Sequence, residues 1–76
     1  MPNPIQELDA CGLQCPLPLL RAKQALNQLE DGQQLRVLAT DAGSVRDFKA
    51  FTELSAHQLI SSDEHEGVYI YVIEKH

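Results

Sequence analysis

Cys15-Pro16-Leu17-Pro18 is the stretch from which the rest of the chain is read. Proline suits the first helical position, because its fixed φ is helical and its missing N–H has no intrahelical partner there. Pro16 is therefore read as the first residue of a helix and Cys15 as its N-cap. Pro18 falls in the same first turn, where no internal donor is lost. A sulfur at that cap faces unpaired N–H groups and the positive end of the helix dipole. Both favour thiolate over thiol, and the thiolate is the nucleophile. The two prolines remove two of those donors, so a moderate lowering of the Cys15 pKa is expected. An accessible nucleophile is preferred over the small buried hydrophobe that a free cysteine often is.

Outward from this point the chain resolves into alternating elements. Before it, Met1-Pro2-Asn3-Pro4 is a Pro-rich lead-in, Ile5 to Asp9 a short strand, and residues 10–14 a loop in which Gly12 supplies an unusual backbone angle. After it, Leu19, Ala22, Leu26 and Leu29 recur at helical spacing, so the first helix runs from Pro16 to Leu29 and stops at Asp31-Gly32. Leu35 to Thr40 is an interior strand, and a helix between two strands favours a parallel crossover. Asp41-Ala42-Gly43 turns the chain. Ser44 caps a second helix, with Asp47 three residues on in a capping-box arrangement; Val45, Phe48, Phe51 and Leu54 form its apolar stripe. Leu59 to Asp63, a hairpin at His65-Glu66-Gly67, and Val68 to Glu74 complete the chain. In the last strand Val68, Ile70 and Val72 share one face, and Tyr69, Tyr71 and Ile73 the other. The expected fold is α/β (α+β): a two-layer β-α-β-α-β-β sandwich, a four-stranded mixed sheet with two helices on one face. Tyr69 and Tyr71 are assigned to the open face. Residues 1–76 are read as a single domain.

Composition narrows the function classes. The 76 residues carry 6 Lys+Arg against 11 Asp+Glu, a formal net charge of −5, which disfavours direct nucleic-acid binding. No apolar run reaches membrane-spanning length, so no membrane insertion is expected. Residues 1–4 lack the basic and apolar regions of a signal peptide, and with two closely spaced thiols this points to a reducing cytoplasm. With 43% hydrophobic residues the composition is globular. His57, His65 and His76 are scattered, and Cys11 and Cys15 lack the paired spacing of a zinc site, so no metal is expected.

Leu8-Asp9-Ala10-Cys11-Gly12-Leu13-Gln14-Cys15-Pro16-Leu17-Pro18, followed after the helix by Thr40-Asp41-Ala42-Gly43-Ser44-Val45-Arg46-Asp47, resembles the TusA/SirA family of small sulfur-carrier proteins. The resemblance spans nearly the whole chain and implies the same sandwich. It implies that Cys15 carries persulfide sulfur, with Gly12, Pro16 and Pro18 as supporting motif positions and no cofactor. It implies a cysteine desulfurase or other sulfur donor protein and a downstream acceptor protein as partners, in tRNA thiolation, molybdenum-cofactor synthesis or sulfur oxidation. Formally such a protein is a sulfurtransferase-type carrier. Cys11 departs from the commonest family pattern; it reads either as a resolving thiol for Cys15 or, preferably, as a tolerated loop substitution. Arg21 and Arg46 are candidate partner-binding residues, with solvated or locally paired side chains as the simpler reading. Two alternatives stand beside the carrier: a non-catalytic regulatory interaction module, and a thiol–disulfide redox protein using Cys11 and Cys15.

Overall fold

A computed structural model describes residues 5–76; the Pro-rich lead-in of residues 1–4 lies outside the described residues. The elements run β1 (Gln6–Ala10), α1 (Leu17–Asn27), β2 (Gln34–Ala39), α2 (Gly43–Leu54), β3 (Gln58–His65) and β4 (Val68–Glu74). They form one four-stranded mixed sheet in the order β1-β2-β4-β3, in which β1 and β2 are parallel and the β2–β4 and β3–β4 pairs antiparallel. The α+β sandwich is the fold that the order of the apolar segments dictated.

Strand periodicity decides which side chains meet the helices. On β2, Leu35, Val37 and Ala39 are fully buried, and their partners across the ladder are Ile73, Tyr71 and Tyr69 of β4. These side chains join Ala22 and Leu26 of α1 and Phe48 of α2 in one core. Both helices thus cover the same face. The Tyr71 ring stacks on Phe48 with centroids 4.4 Å apart and planes 17° from parallel. This corrects the assignment of Tyr69 and Tyr71 to the open face: both lie on the helix side. Period-two alternation separates the two faces of a strand but does not say which one is covered. The opposite face carries Arg36 and Leu38 beside Val72 and Ile70, with an Arg36–Glu7 ion pair of 3.3 Å to the neighbouring strand.

Both helix starts differ from the sequence reading. Helix α1 begins at Leu17, Pro16 is the N-cap, and Cys15 stands one residue outside the helix. The Pro16 carbonyl accepts the Leu20 N–H at 3.1 Å, which sets that boundary. The helix ends at Asn27 rather than Leu29. Its fully buried face is Pro18, Ala22 and Leu26, so Pro18 is a core residue as well as a helix starter. Helix α2 begins at Gly43 with Ala42 as its N-cap and no side-chain cap. Ser44 does not cap, because its hydroxyl is buried and bonded to the Tyr71 hydroxyl at 2.7 Å.

Candidate functional site: a thiol between two helix starts

The Cys15 loop and the β2–α2 loop lie at one end of the sheet because β1 and β2 are parallel neighbours and both open into a helix. Polar bonds join the two loops. The Gly12 N–H donates to Thr40 Oγ1 at 2.8 Å, and the Cys15 N–H donates to Asp41 Oδ2 at 2.7 Å. Asp41 Oδ1 accepts the Gly43 N–H at 2.8 Å, so a single carboxylate bridges the thiol loop and the start of α2. These two amides hold the Asp41 carboxyl below its ordinary pKa, since they stabilise its charged form. Gly12 has φ +82°, a left-handed conformation that glycine adopts without strain.

Cys15 is exposed. Its sulfur lies against the start of α2. A Cβ built on Gly43 would stand 3.2 Å from the Cys15 Cβ and 3.5 Å from its Sγ, so the missing side chain makes room for the cysteine. The Cys15 S–H donates to Asp47 Oδ2. Gly43 and Asp47 are four residues apart on α2 and therefore share a helix face.

These contacts reverse the expected electrostatics. The Asp47 hydrogen bond is the main reason that the Cys15 pKa is raised; desolvation and the charges of Asp47 and Asp41 act the same way, and only Arg46 opposes them. A carboxylate that accepts the S–H stabilises the thiol and repels the thiolate. The expected lowering by the α1 terminus fails because Cys15 lies outside that terminus, and both prolines withhold N–H groups from it.

Cys11 is also an exposed free thiol. Its N–H donates to Asp9 Oδ1 at 3.0 Å, and Asp9 raises the Cys11 pKa through a side-chain hydrogen bond. The two cysteines thus bond to different carboxylates, Cys11 through its N–H to Asp9 ahead of the loop and Cys15 through its S–H to Asp47 across it. Arg46 is near enough to act on Cys15, whereas Arg21 is an exposed residue of α1. Among the described residues neither arginine makes an ion pair. Asp41, Gly43 and Asp47 were not singled out as site residues from the sequence, although all three fall in the second segment that carries the family resemblance.

Beside Asp47, an open groove of about 400 Å³ runs between the helices, lined by Leu19 and Lys23 of α1 and by Asp47, Ala50, Phe51 and Leu54 of α2, with Ser55 at its end. The Lys23 ammonium lies 5.3 Å from the Phe51 ring centroid. Leu17, Leu20 and Val45, on the first turns of the two helices, are each more than 40% exposed: 44%, 45% and 42%. Among the described residues no helix is long and apolar enough to cross a membrane.

Residues 6–75 match the family described as Sulfurtransferase TusA. The chain belongs to the TusA family. The Sulfur carrier protein TusA of Allochromatium vinosum is 53% identical over 70 residues, covering 92% of each chain. A protein of Neisseria meningitidis serogroup A is 48% identical over 69 residues, covering 91% of this chain and 93% of its own. The crystal structure of a SirA-like protein from Desulfitobacterium hafniense superposes with a TM-score of 0.82 at 32% identity, over 92% of this chain and 96% of that one. The TusA match takes in the thiol loop, the Asp41 bridge and the Gly43–Asp47 face together, and the sulfur-carrier role of the family is the frame for the site's chemistry.

Proposed function

We propose that this protein is a sulfur carrier in which Cys15 accepts the terminal sulfur of a donor protein's persulfide and presents it to an acceptor protein. The observation that carries this reading is the exposed Cys15 sulfur held at the meeting point of two helix starts. Sulfur transfer from a large donor needs a thiol that a protein surface can reach, and the exposed Leu17, Leu20 and Val45 offer apolar contact around it. Gly12, Pro16 and Pro18 shape the loop. Cys15 is the acceptor of sulfur and Cys11 a loop residue. Residues 1–76 act as one cytoplasmic carrier domain, and a cysteine desulfurase is the donor class that fits.

The reading is tested by incubating the protein with a cysteine desulfurase and cysteine, removing the small molecules, and measuring cyanide-labile sulfur on the chain. Stoichiometric labile sulfur that disappears with Cys15→Ser supports the carrier. A chain that remains sulfur-free overturns it.

A further inference from the structure

Outside the relay thiol itself, the residue whose contacts ask most for explanation is Asp47. It lies on α2 one turn beyond Gly43, half-buried, where it accepts the Cys15 S–H and lines the groove between the helices. A helix-surface aspartate normally faces water. Here Gly43 clears the approach that lets the sulfur reach it.

Three charged groups act on the sulfur, and other titratable groups lie on the neighbouring elements. Asp41 lies on the loop before α2, and Arg46 and Asp47 on α2 itself. Lys23 of α1 lies across the groove. On β4, Tyr71 is close enough to feel the Asp47 charge. Asp9 lies ahead of the thiol loop and is bonded to Cys11. Two carboxylates and one guanidinium thus act on Cys15 directly, an arrangement that makes negative charge on the sulfur unfavourable.

We propose that Asp47 is a latch on the relay sulfur: it accepts the Cys15 S–H in the free protein, fixes the sulfur against the first turn of α2, and holds it as a thiol until the carboxylate is drawn away. The proposal rests on the carrier reading, because a latch has meaning only where the sulfur must later react. The step it controls is Cys15–SH + R–S–SH → Cys15–S–SH + R–SH. A bond forms between Cys15 Sγ and the donor's terminal sulfur, and the donor's own S–S bond breaks. The Cys15 proton passes to solvent and a solvent proton ends on the leaving thiolate, so no external oxidant or reductant is needed. While latched, Cys15 is a poor nucleophile, and the free carrier resists adventitious alkylation and oxidation.

The test uses the full chain carrying Cys11→Ser, so that Cys15 is the reacting thiol, with folding of each variant checked by circular dichroism. Iodoacetamide alkylation is followed against pH for Asp47, Asp47→Asn and Asp47→Glu. The expected result is a midpoint above that of glutathione with Asp47, a lower midpoint with Asp47→Asn, and recovery towards the original with Asp47→Glu. Each unit of lowering multiplies the neutral-pH thiolate about tenfold while nucleophilicity falls about threefold, so net reaction speeds up by about threefold per unit. Sulfur uptake from cysteine persulfide at pH 7 should rise in Asp47→Asn in the same proportion. An unchanged midpoint in Asp47→Asn overturns the latch, as does an equal shift in Asp47→Glu, which would mean that only packing had been disturbed. If the midpoints shift as expected but no chain takes up sulfur, Asp47 still holds the Cys15 S–H, but the carrier reading falls and the relay latch falls with it.

Discussion

Gly43 is packed against Cys15 so closely that a Cβ on it would stand 3.2 Å from the Cys15 Cβ and 3.2 Å from Asp41 Oδ1. The contact joins the residue that starts α2 to the residue before the N-cap of α1, and it lets Asp47 reach the sulfur.

Gly43→Ala sets two effects against each other. Alanine is favoured over glycine in a helix by about 1 kcal/mol, and forcing a methyl into an occupied space costs about 1–3 kcal/mol. Net stability should therefore fall modestly, by no more than about 2 kcal/mol. The thiol should move more than the stability does: with Cys15 displaced from Asp47, its alkylation midpoint falls. A midpoint equal to that of the unaltered chain would mean that the Gly43–Cys15 contact does not position the sulfur.

The buried Ser44–Tyr71 hydroxyl pair fastens α2 to β4 directly behind the site. Ser44→Ala or Tyr71→Phe leaves one buried hydroxyl without its partner, at about 1–3 kcal/mol each. The double variant should lose less than the sum of the singles, because neither orphan remains. Urea denaturation of the four proteins measures this; strict additivity would deny the coupling. Phe48→Ala, which removes the ring stacked on Tyr71, should be more severe, at about 3–5 kcal/mol.

How far the chain can be read without coordinates is shown by these same residues. Apolar spacing in Leu35–Ala39 and Val68–Ile73 was enough for the strands, and with one helix before Leu35 and another after Ala39 it was enough for the sandwich. Partners distant in sequence were not legible. Ser44 and Asp47 have the spacing of a capping box, yet Ser44 bonds 27 residues away to Tyr71 and Asp47 bonds 32 residues away to Cys15. Local patterns describe what a segment can do alone, and tertiary contacts redirected both side chains. The motif located the thiol. The sign of its electrostatics depended on a carboxylate from the next helix, which no spacing around Cys15 reveals.

Asp41 gives the loop junction an acid sensitivity. Its pKa is lowered in the folded protein by the Cys15 and Gly43 amides. The associated stability is present above the unfolded carboxyl value of about 3.9 and is lost as pH falls through the lower folded value. Hydrogen exchange of the Cys15 and Gly43 amides should be well protected near pH 5, relative to intrinsic rates, and lose protection below about pH 4. Asp41→Asn should remove that pH dependence. Protection that does not change across this window would show that the bridge does not hold the loop.

The carrier account is tested most directly by locating transferred sulfur. After incubation with a cysteine desulfurase and cysteine, intact-protein and peptide mass spectrometry should find one added sulfur on the peptide containing Cys15. The sulfur should be retained in Cys11→Ser and absent in Cys15→Ser. Sulfur found on Cys11, or uptake that persists in Cys15→Ser, would contradict the account.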